Sequence, residues 1–322
     1  METVKSVHEK LRKELSTYLK TQYFGKNNLL LNALSDRFDE QGIIWQAPYI
    51  ELPAAYAQAA NGLNDLQMPK WAIDFLKELA DNRLGVFKNP YIHQIEALQH
   101  AFVNRDIFVS TGTGSGKTEC FLWPLILKIA NEAKTEPTLW NKTRGVRAII
   151  MYPMNALVAD QISRLRRIIG ADSFVDAFRH ATMQNARRPQ FGMYTGRTPY
   201  AGEKPEHNAD INLAKTLSRL LPSNGINQDI YNALLSDGKI PVKKDIGLFI
   251  ENLKNNNHYT DADDAELITR FEMMSICPDI LILQRQLKII RIKISTSVVC
   301  YHSSPYAQDS THPFLILRES LQ

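Results

Sequence analysis

The segment IFVSTGTGSGKTE at residues 107–119 constrains this chain more than any other. Glycines alternate there with small hydroxylated residues and end in Lys-Thr. The short apolar run at 106–110 precedes them as a candidate buried strand, and a long helix-forming stretch, 117–134, follows. Pro124 is expected to kink that helix or shift its hydrogen bonding. Strand, glycine-rich turn and helix in that order are what a phosphate-binding loop requires. Gly112, Gly114 and Gly116 can adopt backbone angles closed to bulkier residues and bring N–H groups close to an anion. The helix start adds partial positive charge. The candidate nucleotide loop is therefore Thr111, Gly112, Thr113, Gly114, Ser115, Gly116, Lys117, Thr118 and Glu119. Lys117 is expected to reach the β- and γ-phosphates, and the Thr118 hydroxyl to hold Mg²⁺. Thr111 stands where the strict G-x-x-x-x-G-K-[ST] pattern has glycine, a form less typical of kinases and GTPases.

The surrounding pattern is α/β. Residues 95–103 read as a helix and 146–152 as a buried strand. Residues 155–169 read as a helix with Val158, Ile162, Leu165 and Ile169 on one stripe. Further strands are expected at 191–195 and 280–283. Residues 203–276 are polar and loop-rich, an insert with helices at 214–221 and 245–255. Ahead of the α/β part, residues 1–24 carry a helical apolar period, Ile43, Ile44 and Trp45 look strand-like, and a helix with Trp71, Phe75, Leu76 and Leu79 follows Pro69. Three scattered cysteines suit neither a disulfide framework nor a zinc site, and fit a reduced compartment. The N-terminus has no apolar signal region and no stretch is long enough to span a bilayer, so a cytoplasmic protein without a membrane partner is expected. A net charge of +4 is compatible with nucleic acid without arguing for it.

Preceded by PYIHQIEALQHAFVNRDIFVS, the loop TGTGSGKTE resembles that of superfamily two helicases, the DEAD/DEAH-box group. The resemblance implies that Gln94, 23 residues before Lys117, reads adenine through its side-chain amide. MYPMNALVADQISRLRR, residues 151–167, looks like the motif of that family whose turn touches the nucleic-acid backbone. Pro153 and Asn155 would sit at that turn, with Met154 in place of the family's threonine and Gln161 one residue late. Arg164, Arg166 and Arg167 read as a solvated helix face. FGMYTGRTP, residues 191–199, looks like the next strand and its T-G turn, with Gly196 and Arg197 near a phosphate backbone. MMSICPDILI, residues 273–282, resembles a later family strand, after which the match stops.

The resemblance implies an incomplete RecA-like α/β P-loop domain with a parallel sheet at 91–283, after a mostly helical accessory region at 1–90. It implies ATP and Mg²⁺, the latter through Thr118 with an incomplete shell, and nucleic acid as partner, DNA ahead of RNA. No Asp-Glu-x-His or Asp-Glu-x-Asp follows residue 283, so no catalytic residue is assigned and hydrolysis by this chain is not expected. Asp263, Asp264 and Glu266 lie in the polar insert, before the last family-like strand. Residues 284–322 change character: LKIIRIKIS alternates like a strand, and the tail reads either as a C-terminal hairpin or, preferably, as out-of-frame translation. The expected function is an ATP- and nucleic-acid-binding fragment of a helicase whose parent acts in DNA repair or phage defence. A non-functional truncated product and an unrelated P-loop kinase are the alternatives.

Overall fold

The computed structural model describes residues 3–47, 55–112, 114–182, 186–199, 209–255, 261–284, 298–302 and 314–318. The chain divides into two compact units, Met1–Ala55 and Tyr56–Gln322. That boundary lies ahead of position 90/91, where the sequence suggested one.

In the first unit, α1 (Val4–Leu19) starts on a reciprocal cap between Thr3 and Ser6 and runs into a π-helical turn, Lys20–Phe24. Asn27 caps α2 (Asn28–Asp39) by accepting from the Leu30 N–H. The helical period expected over 1–24 is present, yet its apolar positions Val4, Leu11 and Tyr18 are exposed. Ile43, Ile44 and Trp45 form no strand. Gly42, at φ +94°, turns the chain and donates to the Trp45 carbonyl at 2.8 Å, and the Arg12 guanidinium lies 4.5 Å from the Trp45 ring centre.

The second unit begins with α3 (Lys70–Asp81), α4 (Ile92–Phe102), α5 (Glu119–Thr135) and α6 (Pro137–Lys142). Then come β1 (Ala148–Tyr152), α7 (Asn155–Ile168), α8 (Asp172–Thr182) and β2 (Phe191–Tyr194). The insert supplies α9 (Ala209–Ser218), α10 (Gln228–Ser236), α11 (Ile246–Lys254), β3 (Glu266–Leu267) and α12 (Arg270–Ile276). The last strands are β4 (Ile280–Gln284), β5 (Val298–His302) and β6 (Phe314–Arg318). The sheet order is β3-β2-β4-β1-β5-β6, parallel throughout except that β6 runs antiparallel to β5.

Both faces of the central strands are covered, which is why they read as continuous apolar runs. Ala148, Ile150 and Tyr152 of β1, with Ile280 and Ile282 of β4, enter the large core shared with α3, α4, α5, α7 and α8. Ile149, Leu281 and Leu283 point the other way and pack with Met273 of α12. The period of two along each strand produces this division. Val158, Ile162, Leu165 and Ile169 are buried as their spacing implied. Phe75, Leu76 and Leu79 of α3 enter the same large core, which ties the segment after Pro69 to this unit.

One expectation in this unit does not hold. Residues 106–110 are not a strand: Ile107 and Val109 are buried, but the segment forms no ladder with any described strand. Apolar pattern reports burial, whereas a strand also needs a hydrogen-bonding neighbour. Pro124 lies inside α5, which continues through it to Thr135. The stretch LKIIRIKIS, residues 287–295, lies outside the described residues. Elsewhere in the tail, β5 pairs with β1 and β6 with β5.

Two buried ion clusters pin the loops. Asp279, fully enclosed, accepts from Arg147 and Arg187 at 2.7 Å and from the Gln190 N–H at 2.9 Å, and both guanidinium groups stack on Trp140. Lys243, also buried, pairs with Asp264 and Glu272. Burial disfavours its ammonium, but the two carboxylates outweigh that and hold its pKa above the ordinary lysine value. Asp264 and Glu266, in the acidic run of the insert, are thus committed to Lys243 and Arg166.

Candidate nucleotide-binding site

The loop between residue 110 and α5 is held from outside by the first turn of α4. Gln94 closes that helix start, its Oε1 accepting from the Tyr91 N–H at 2.9 Å. Its Nε2 donates to the Gly116 carbonyl at 3.0 Å. One residue earlier, His93 Nε2 bonds the Ser115 carbonyl at 2.8 Å, which requires the proton on that nitrogen. His93 in turn stacks on Tyr91, with ring centres 5.5 Å apart. Adjacent residues of α4 thus grip adjacent carbonyls of the loop.

Inside the loop, the Thr111 and Ser115 hydroxyls bond at 2.6 Å. Gly114 and Gly116 have φ of +76° and +72°, the left-handed region. A Cβ on Gly116 would sit 2.3 Å from Gln94 Nε2 and 3.0 Å from Glu119 Oε2, so this position admits no side chain. A Cβ on Gly112 would meet the Tyr56 hydroxyl at 2.5 Å. Lys117 Nζ donates to the Thr111 and Gly112 carbonyls at 2.6 and 2.7 Å. Burial holds its pKa below the ordinary lysine value. Thr118 is the N-cap residue of α5, and Glu119 its first residue. Thr113 lies outside the described residues.

A cleft of about 890 Å³ opens on this loop, lined by residues 114–119 together with Gln94, Phe87, Lys88 and Arg164. The sequence reading missed Phe87, Lys88 and Arg164. Phe87 is half exposed, and its ring centre lies 6.1 Å from that of Trp123. An exposed phenylalanine seven residues before Gln94 carries no periodic signal, so only the fold identifies it. Arg164 and Arg166 overturn the expectation of a solvated arginine face. Arg164 Nη1 bonds Glu119 Oε1 at 3.0 Å, and Arg166 bonds Glu266 through two nitrogens. Helix periodicity places these residues on α7 but does not show that α5 and β3 present carboxylates to them. Among the described residues no group of three or more His, Cys, Asp or Glu is placed to hold a metal ion.

Pro153, Asn155, Gly196 and Arg197 emerge at one edge. β1 and β2 flank β4 in parallel, with Tyr152 opposite Gln284 and Tyr194 opposite Leu283, so the turns after β1 and β2 leave the same end of the sheet. Asn155 opens α7, and its Oδ1 has no hydrogen-bond partner among the described residues. After β2, Thr198 Oγ1 donates to the Met193 carbonyl and accepts from the Thr195 N–H, while the Arg197 N–H donates to Thr195 Oγ1. This knot leaves Gly196 and Arg197 exposed. Arg270 braces it, donating to the Thr195 carbonyl at 2.9 Å.

A glycine-rich loop with an invading lysine, leading into a helix beside a parallel sheet covered on both faces, defines a RecA-like P-loop nucleotide-binding domain. Residues 91–197 match the family described as DEAD/DEAH box helicase, and this part of the chain is a helicase domain of that type. Druantia protein DruE of Escherichia coli is 33% identical over 305 residues, covering 87% of this chain and 16% of that protein. The pre-mRNA-splicing ATP-dependent RNA helicase prp28 of Aspergillus niger is 41% identical over 81 residues, 25% of this chain and 10% of that protein. The ATP-dependent RNA helicase ROK1 of Vanderwaltozyma polyspora is 38% identical over 138 residues, 38% of this chain and 23% of that protein. The chain thus spans less than a quarter of the length of each of these relatives. Among the described residues no helix is long and apolar enough to cross a membrane.

Proposed function

We propose that this chain binds ATP with Mg²⁺ at the phosphate loop and nucleic acid at the carboxyl edge of the sheet, as a helicase-derived fragment that does not hydrolyse ATP by itself. The observation that carries the reading is the placement of the Lys117 ammonium inside a loop whose Gly116 admits no Cβ and whose rim is Gln94. The cleft fits the range of small-ligand sites, roughly 300–1,000 Å³. A triphosphate would draw Lys117 from two carbonyls to charged oxygens, a stronger class of hydrogen bond, while the α5 N-terminus faces the same charge. Mg²⁺, held through Thr118, would supply charge neutralisation across the phosphates. After its bonds to Tyr91 and Gly116, Gln94 keeps one amide hydrogen and one lone pair, the donor and acceptor that adenine recognition needs. Phe87 is proposed to cover the base.

Pro153, Asn155, Gly196 and Arg197 are proposed to meet phosphate groups of the strand, where a helix N-terminus and exposed N–H groups suit backbone rather than base contacts. DNA is proposed ahead of RNA; the likeness to the two relatives named as RNA helicases spans at most 38% of the chain. The parent protein is proposed to act in DNA repair or in defence against phage. Binding without coupled turnover is the proposed activity. Titration with a fluorescent ATP analogue tests the reading. Lys117→Ala is expected to weaken binding by about tenfold or more, the loss of one charge-assisted contact. Equal affinity in both proteins would sink it.

A further inference from the structure

Helix α1 is seated by its polar face and leaves its apolar stripe bare. His8 Nε2 donates to the Gln46 carbonyl at 2.9 Å, Arg12 bonds Asp39 and lies over the Trp45 ring, and Ser16 is buried. Val4, Val7, Leu11, Leu15 and Tyr18 are all exposed, Leu11 by 60%. Phe38 is the one buried hydrophobic residue among the described residues of the unit Met1–Ala55. A unit of this size needs apolar burial to hold its fold. Apolar side chains recurring every three or four residues along one helix form the kind of seam that a second helix covers.

The seam is symmetric about Leu11, with Val7 and Leu15 four residues to either side and Val4 and Tyr18 seven. A two-fold axis at Leu11 therefore brings Leu11 onto Leu11 of a second copy, Val7 onto Leu15 and Val4 onto Tyr18, over about 21 Å of antiparallel helix at 1.5 Å per residue. Charge selects the same arrangement. Lys10 and Glu14 are exposed on the edge of the seam away from His8 and Arg12, and with Thr17 and Tyr18 they line a groove of about 510 Å³. Antiparallel pairing sets this edge against itself. Lys10 of one copy then lies about 3 Å along the axis from the level of Glu14 of the other, and two such ion pairs close across the two-fold. Parallel pairing would set Lys10 against the Arg12 side instead. We infer that α1 is a self-association surface, through which two copies of this chain pair antiparallel on Val4, Val7, Leu11, Leu15 and Tyr18, with Lys10 and Glu14 fixing the register.

Sedimentation equilibrium of the full chain from about 1 to 100 μM tests this, a range that resolves micromolar association. The native chain is expected to be a dimer at the upper end. Leu11→Glu sets two carboxylates at the axis and is expected to weaken association by about thirtyfold or more. Lys10→Glu and Glu14→Lys are each expected to weaken it by about threefold or more. An equimolar mixture of these two restores opposite charges across the axis and is expected to recover the native affinity. Were Lys10 and Glu14 to act only within their own helix, the mixture would associate no better than its parts. Circular dichroism establishes that each variant keeps its helices, and Leu11→Ser serves if Leu11→Glu does not. A native chain that stays monomeric overturns the inference. So does a folded Leu11→Glu that still dimerises, or a mixture that gains nothing over its components.

Discussion

Gln94 and Gly116 are joined by a 3.0 Å hydrogen bond from the amide Nε2 to the carbonyl, in a space that a Cβ on Gly116 would enter at 2.3 Å. The glycine is thus required twice, by its φ of +72° and by the amide above it. Gly116→Ala is expected to cost about 1–3 kcal/mol through backbone strain and displacement of Gln94. It should also abolish nucleotide binding. Thermal unfolding and analogue titration measure the two effects, and a variant with unchanged affinity would contradict this geometry.

Gln94→Ala removes both of its partners' bonds while leaving the Tyr91 N–H and the Gly116 carbonyl in a partly buried site. A loss of about 1–3 kcal/mol follows from unsatisfied buried groups. Because Gln94 supports the loop as well as facing the cleft, Gln94→Glu should still stabilise the helix start through the Tyr91 N–H but repel the Gly116 carbonyl. Its stability is expected to fall between those of the native chain and Gln94→Ala, read by urea unfolding.

The two buried ion clusters give a matched pair of stability predictions. Asp279→Ala leaves Arg147 and Arg187 without their shared carboxylate, and Lys243→Ala leaves Asp264 and Glu272 facing each other. Each is expected to destabilise the fold by about 3–5 kcal/mol, the cost of breaking a buried pair from one side. Lys243 adds a pH signature. Its folded pKa is raised above 10.5, so its stabilisation is complete below 10.5 and is lost as pH rises through the folded value. Hydrogen exchange in α11 and residues 261–272 is expected to accelerate above pH 10.5 in the native chain, and to lack that step in Lys243→Met.

Amine and thiol reactivity should divide in opposite directions. Burial lowers the Lys117 pKa, so more of its neutral amine is present at a given pH below 10.5, and an acylating reagent should modify it with protection by ATP. Burial pushes the Cys120 thiol up to about 12, with Glu119 adding to the shift. Iodoacetamide at pH 8 is expected to leave Cys120 untouched until the chain is unfolded. Peptide mass spectrometry reads both sites in one sample.

Much of the scaffold was legible because it depends on local period. The helices α3, α4 and α7 and the strands β1, β2 and β4 follow patterns of 3.6 and 2 that record which side is buried. Helix α8 was not anticipated, although Phe174, Ala177 and Phe178 bury one face of it. At residues 106–110 the apolar signal was sound and the strand was not, since pairing is a property of neighbours. Ile43, Ile44 and Trp45 failed for a similar reason: Gly42 turns the chain before a ladder can start.

The sequence alone marked the segment from Thr111 to Glu119 as a candidate phosphate loop, because glycine spacing and a following helix act within a few residues. It also placed Gln94, Pro153, Asn155, Gly196 and Arg197 on their elements. Tertiary structure decided what those residues touch. It gave Gln94 a second duty at Gly116, took Arg164 and Arg166 out of solvent to Glu119 and Glu266, and brought Phe87 to the cleft. Those contacts span from 22 to 100 residues of chain in the hydrogen-bonded cases. Charge and hydrogen-bond partners at such separations are set by how helices and strands pack, and no local pattern records them.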